Sequence, residues 1–198
     1  MLPVNRKAFS DTAPNRQIAV LDGIRLERIE RSTVLTLSEK INLVRLLMHR
    51  KWIADVGVGR DLMALREELH ALDIPFRTGR YSPGDSTEWL QAGVNVAVLN
   101  YVADREAELS ELEAGVLYGY PTSHSLGFSG VLESTARRPD SAALFYLAGI
   151  YSKEFARAEV DFFLREWSEF SRISPLLATE AESAFSEFKK ERSSYQPY

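Results

Sequence analysis

The chain has 198 residues, 45% of them hydrophobic, which suits one folded domain with a packed core. Its 24 basic and 28 acidic residues leave a net charge of −4, so no global positive field attracts phosphate backbones, and nucleic-acid binding through Arg50, Lys51, Arg60 and Arg66 ranks last among the candidate functions. The absence of cysteine excludes a disulfide framework, a thiolate zinc site and a cysteine nucleophile, and fits a cytoplasmic location.

Residues 1–7 lack the apolar core of a signal peptide and no stretch is long and uncharged enough to span a bilayer, so no membrane partner is expected. Residues 1–16, polar and broken by Pro3 and Pro14, read as an arm. The apolar runs 17–21 and 24–29 flank Asp22-Gly23, a dipeptide suited to a type I′ turn, and predict an N-terminal β-hairpin, with residues 32–37 as a third short strand. Thr36 and Glu39 have capping-box spacing. Leu37, Ile41, Val44, Met48 and Trp52 carry the helix that follows to about residue 54. After the break at residues 55–59, Leu62, Leu65, Leu69 and Leu72 stripe a second helix, which Pro75 ends.

Residues 74–78 predict a strand, 82–85 a turn, and 86–92 a short helix closed by Gly93. The valine-rich run 94–101 predicts a strand buried on both faces at the sheet centre, and the alternation implies a right-handed crossover. From residue 104 onward the pattern is helical. Leu109, Leu112 and Val116 share a face, Gly119 is a stop, and a new helix starts near residues 121–123. A buried helix over 141–150, an amphipathic one from Ser152 and a last one opened by a Thr179–Glu182 capping box complete the chain before a polar tail, 193–198. The expected fold is a helix-rich mixed α/β (α+β) domain over 17–192. It has a small sheet with an N-terminal β-hairpin in an α/β half, 17–103, and a C-terminal helical half, 104–192.

Several motifs point to no chemistry. Gly57-Val58-Gly59-Arg60-Asp61 sets two glycines and an arginine before a helix, as an anion site does. It lacks the third glycine of a dinucleotide fingerprint and the Gly-Lys-Ser/Thr of a P-loop, and reads as an interhelical turn. Gly127-Phe128-Ser129-Gly130 has Val131 where a nucleophile elbow needs glycine, and reads as a small-residue helix contact. His49, His70 and His124 lie on three elements without ligand spacing, so no metal is expected; any other cofactor is left open.

Two clusters do suggest a site. In Tyr118-Gly119-Tyr120-Pro121-Thr122-Ser123-His124-Ser125, Gly119 can end one helix and Pro121 start the next. Such a rigid break would present Tyr120 and His124 to a pocket. The purely structural account makes Thr122 or Ser123 an N-cap and leaves His124 in solvent. Arg77-Thr78-Gly79-Arg80-Tyr81 places two arginines on a loop leaving a strand, where α/β sheets bind ligands. Arg77, Arg80 and Tyr81, with Thr122 and Ser123, are therefore candidate contacts for phosphate or carboxylate. Phe155, Phe162, Phe163, Trp167 and Phe170 belong to the core or to a subunit interface.

Glu113-Ala114-Gly115-Val116-Leu117-Tyr118-Gly119-Tyr120-Pro121 resembles an acidic-x-Gly-x-x-x-Gly-Tyr-Pro segment of uncharacterised archaeal and bacterial protein families, with Tyr151-Ser152-Lys153-Glu154 as a second point of likeness. Some of those families follow the proline with paired cysteines, where this chain has Ser123-His124. The resemblance implies no activity, but it marks the Gly-Tyr-Pro break as more than a connector.

Two classes of function follow. One is an intracellular binding or interaction protein that self-associates through its C-terminal helices and holds a small anionic ligand. The other is an enzyme acting on a small phosphorylated or carboxylated substrate, with His124 as general acid or base, Tyr120 assisting, and Arg77 and Arg80 holding the anion. The Arg77 segment and His124 in one cleft would favour the second; on opposite faces they would exclude it.

Overall fold

A computed structural model describes residues 21–58, 60–80, 88–105, 108–136 and 139–194. The fold is a helix-rich α+β arrangement. Its N-terminal element differs from the expected hairpin: α1 (Leu21–Arg31) contains Asp22-Gly23, while residues 17–20 lie outside the described residues. An Asp-Gly pair permits a tight turn without compelling one. Here side chains at helical spacing find partners, for Ile29 is fully buried with Leu26 packed beside it, and Arg25 and Arg28 pair with Asp73 (2.6 Å) and Glu68 (3.1 Å). Residues 32–36 form no strand either. They make a turn in which the Ser32 hydroxyl accepts from the amides of Val34 and Leu35.

The capping box at Thr36 opens α2 (Leu37–Leu47). The Glu39 amide donates to Thr36 Oγ1 at 3.3 Å, and the Thr36 amide donates to Glu39 Oε2 at 2.7 Å. Thr36→Ala is expected to cost about 1 kcal/mol in a urea titration, the usual value of a lost cap; an unchanged midpoint would contradict this role. The helix stops earlier than its hydrophobic register suggests, because His49 takes a left-handed φ of 54° and the Arg50 amide turns back to the Arg45 carbonyl. Residues 53–56 are thereby released to form β1 (Ile53–Val56).

After α3 (Leu62–Ala71) come β2 (Phe76–Arg80) and β3 (Glu88–Gly93), and then α4 (Val96–Arg105). The expected helix over 86–92 and strand over 94–101 are thus exchanged. β3 is the central strand of the sheet β1-β3-β2, antiparallel to both neighbours, with Asp55 and Arg77 each opposite Gln91. Both faces of β3 are covered, which hides its period of two. The valine run is helical because Asn95 Oδ1 caps the Val98 amide at 2.9 Å, and Leu99 and Val102 point inward three residues apart while Val96 is 60% exposed. β1 and β2, both antiparallel to β3, run parallel to each other; α3 crosses between them, with β3 inserted in the middle.

The rest is helical apart from one small ribbon: α5 (Glu111–Leu117), α6 (Thr122–Phe128), β4 (Ser134–Ala136), α7 (Ala142–Leu147), β5 (Ile150–Ser152), α8 (Ala156–Ile173) and α9 (Pro175–Ser194). β4 and β5 pair antiparallel, so the helix expected over 141–150 ends at Leu147. Thr179 lies inside α9 and its hydroxyl donates to the Pro175 carbonyl, so it is no N-cap. One core joins both halves of the chain, from Ile29 through Leu90 to Phe185, and takes in Phe163, Trp167 and Phe170 from α8. A smaller core of Ile53, Leu99 and Val102 lies on the opposite sheet face, under α4 and α5. Among the described residues no helix is long and apolar enough to cross a membrane.

Candidate functional site

The site is built around the junction of α5 and α6. Gly115 of α5 lies so close to α6 that a Cβ there would meet Ser125 Oγ at 1.8 Å. The helix ends in a Schellman motif, in which the Gly119 amide donates to the Val116 carbonyl and the Tyr120 amide to that of Gly115, with Gly119 at φ 76°. A Cβ on Gly119 would also sit 2.1 Å from the Arg50 carbonyl oxygen, so glycine is required there twice over. The glycines of the Glu-x-Gly-x-x-x-Gly-Tyr-Pro segment therefore have identifiable packing duties.

The next residues are fixed by this backbone. Tyr120 stacks on His124 (centroids 4.7 Å apart), and His124 meets Phe163 and Tyr151 edge-on. Against this stack opens a cleft of about 410 Å³, lined by Asp55, Glu111, Tyr118, Tyr120, His124, Ser125 and Phe128, with Ala114, Gly115, Gly149 and Ile150. Its volume is within the usual range for small-molecule sites.

Asp55 forms one wall and is held by three donors. Tyr118 OH donates to Oδ2 at 2.6 Å, while Trp89 Nε1 and Gln91 Nε2 each donate to Oδ1 at 3.2 Å. Burial raises the pKa of the Tyr118 phenol, and the neighbouring Asp55 charge reinforces the shift, so the phenol stays a donor. His124 is 5% exposed and its Nδ1 is buried without a hydrogen-bond partner. Glu159 Oε2 stands 3.9 Å from that nitrogen, and its carboxylate is held by the Ser152 amide (3.1 Å) and hydroxyl (2.7 Å). Burial lowers the His124 pKa against the opposing pull of Glu159, keeping the imidazole neutral near pH 7.

Behind the cleft lies a group of buried charges. Arg45 Nε donates to Glu166 Oε1 at 2.7 Å with both side chains buried, and Arg45 Nη2 and Glu166 Oε2 have no partner. Lys51 Nζ donates to Asn42 Oδ1 at 2.8 Å and lies 5.6 Å from the centre of the Tyr118 ring. Burial first, and the Arg45 charge second, push the Lys51 pKa down to about 7, with Asp55 and Glu166 opposing.

No protein-family model, curated protein or solved structure matches the chain.

The sequence candidates are distributed over several places. Tyr120 and His124 share the cleft. Thr122 is exposed and Ser123 half-buried; neither lines the cleft, and neither is the N-cap of α6, a position taken by Pro121 without a side-chain cap. Arg77 is in β2 rather than on a loop, and lines a separate cleft of about 570 Å³ with His70, Asp73, Phe76, Val96 and Asn100. Its Nε donates to Gln91 Oε1 at 2.9 Å, which ties it to Asp55 across the sheet without bringing it to His124. Arg80 ends β2 opposite Glu88, and Tyr81 lies outside the described residues.

Other expectations resolve structurally. The Gly57 turn follows β1 rather than a helix, and its anion is internal: Glu39 accepts from the Gly57 amide (2.7 Å) and from Arg60 Nη1 (2.6 Å). Burial alone would raise the Glu39 pKa, but the Thr36 and Gly57 amides, the Thr36 hydroxyl and Arg60 together lower it. Gly127 packs against Ser152 of β5 rather than another helix. Of the basic residues considered for nucleic acid, Arg50 pairs with Glu169, Arg60 with Glu39, Arg66 Nη2 donates to Thr78 Oγ1, and Lys51 is buried. Among the described residues no three His, Asp or Glu side chains converge as a metal site requires.

Asp55, Gln91 and the Arg45–Glu166 pair are not among the sequence candidates; Lys51 enters there only with the basic residues weighed for nucleic acid, and Tyr118 only within the Tyr118–Ser125 cluster. A signal existed for part of this group. Glu159, Phe163, Glu166 and Phe170 recur at spacings of four, three and four on one face of α8, and acids interleaved with a buried aromatic stripe must have partners.

Proposed function

We propose that this chain is a small-molecule binding protein whose ligand occupies the cleft at the α5–α6 junction. The observation that carries this reading is His124, a buried imidazole whose Nδ1 has no hydrogen-bond partner, in the wall of a cleft where Asp55 and Tyr118 are already held by hydrogen bonds. Side chains held before a ligand arrives lose little freedom on binding it, which favours affinity. The self-association considered with this reading draws no support from the α8 aromatics Phe163, Trp167 and Phe170, which pack within the chain; among the described residues Phe155 at the N-cap of α8, Leu164, Ile173 and Leu176 are large apolar side chains exposed along α8 and α9.

A second reading, an enzyme with His124 as general acid or base, has in its favour the Glu159 carboxylate 3.9 Å from His124 Nδ1, a charge that favours the protonated ring without hydrogen-bonding to it. Arg77 lines a different cleft, so this reading loses the anion clamp that would have defined its substrate.

Thermal-shift screening of a small-molecule library against the wild type, His124→Ala and Tyr120→Phe tests the site. Hits that stabilise the wild type are expected to lose most of their effect in His124→Ala. Hits that bind both variants as they bind the wild type would place the ligand elsewhere.

A further inference from the structure

The wall of the cleft carries a definite sign of charge. Among the described residues Asp55 and Glu111 line it, and no lysine or arginine does. Asp55 accepts one hydrogen bond at Oδ2 and two at Oδ1, whereas a carboxylate can accept about four. It is thus held in place with capacity for one more donor. Tyr118, Tyr120 and Phe128 add aromatic surface, whose ring faces attract cations.

The neighbouring positive groups cancel only part of this field. Arg45 is paired with Glu166, and Lys51, behind the Tyr118 ring, has its pKa lowered by burial to about 7, so that at pH 7 it carries about half a charge against the two carboxylates. His124, neutral for the same reason, can accept a hydrogen bond and does not repel a positive charge. Its Nδ1, buried without a hydrogen-bond partner, stands 3.9 Å from Glu159 Oε2, a carboxylate that does not line the cleft.

We infer that the cleft is built for an organic cation, an alkyl or aralkyl ammonium whose head meets the Asp55 and Glu111 carboxylates while its apolar part lies against Tyr118, Tyr120 and Phe128. This rests on the binding reading above and reverses the sign of the ligand expected from the sequence. An anion in the same place would face two carboxylates with no compensating charge among the described lining residues.

Three probes of nearly equal shape isolate the charge: 2-phenylethylamine, 2-phenylethanol and phenylacetate, titrated at pH 7 and low salt into the full chain, with amide chemical shifts of residues 115–125 as the readout. The amine is expected to bind roughly tenfold more tightly than the alcohol, and phenylacetate more weakly than either, one tenfold step being one close ionic contact in a partly desolvated site. Glu111→Gln, at an exposed position that leaves the fold intact, should shrink the gap between amine and alcohol. Asp55→Asn should abolish it, provided its spectrum is that of a folded protein. Equal binding of amine and alcohol at residues 115–125 overturns the cation assignment while leaving the binding site standing. If none of the three probes shifts those amides, the cation assignment falls together with the binding reading.

Discussion

Arg45→Met is expected to destabilise the protein by about 3–5 kcal/mol, whereas Arg45→Met combined with Glu166→Leu should cost far less and come close to neutral. The asymmetry comes from burial. The two side chains meet at 2.7 Å with 2% and 4% of their surface exposed, so removing the guanidinium strands a carboxylate where water cannot reach it. A loss of that size is a large part of the 5–15 kcal/mol that typically separates folded from unfolded domains. The double variant removes both desolvation costs and leaves apolar atoms beside Phe163 and Phe170. Neither Arg45 Nη2 nor Glu166 Oε2 has a partner, so the pair is incompletely satisfied and the double variant has correspondingly little to lose. Urea titrations of the two single variants and the double give the coupling directly. Additive losses would show that the pair contributes no mutual stabilisation.

How far the fold can be read from sequence depends on whether a signal is local. Thr36 with Glu39 is a complete local sentence, since donor and acceptor lie three residues apart, and α2 starts where they say. Gly119 and Pro121 are likewise local, which is why the break carrying Tyr120 and His124 is legible in the chain. β3 is not. Leu90 and Ala92 serve the main core while Trp89 and Gln91 face Asp55, so every residue from Trp89 to Gly93 is buried and the alternation that marks a strand disappears. The opposite error at residues 94–101 has the same origin: the run is almost uninterruptedly apolar, and the deciding residue is the capping Asn95 near its start. Asp55, Gln91 and Arg77 form one row only through strand register, and Tyr118 reaches Asp55 across 63 residues of chain, so no local pattern could assemble that wall.

Lys51→Met is expected to stabilise the protein near pH 7 and to flatten its stability between pH 7 and 10. The folded-state pKa of Lys51 lies at about 7, mainly through burial and secondly through the Arg45 charge, against about 10.4 for an unfolded lysine. Below pH 7 both states carry the proton, and the folded state bears the full cost of a buried ammonium. Between the two values only the unfolded chain is protonated, so unfolding takes up a proton and stability rises with pH, by at most about 1.4 kcal/mol per unit. Above pH 10.4 both states are neutral and this cost has vanished. Methionine keeps the unbranched shape, removes the charge, and leaves Asn42, which is half-buried, within reach of water for the lost bond at 2.8 Å. The stabilisation by Lys51→Met should therefore be largest at and below pH 7, where it amounts to several kcal/mol less the lost hydrogen bond, and should decay as the pH approaches 10. Denaturant titrations of wild type and variant at pH 6, 7, 8, 9 and 10 provide the comparison, and the titrations common to both proteins cancel in the difference. Parallel stability curves would mean that Lys51 keeps an ordinary pKa, and the charge accounting behind Tyr118 would have to be redrawn with a permanent cation beside Asp55.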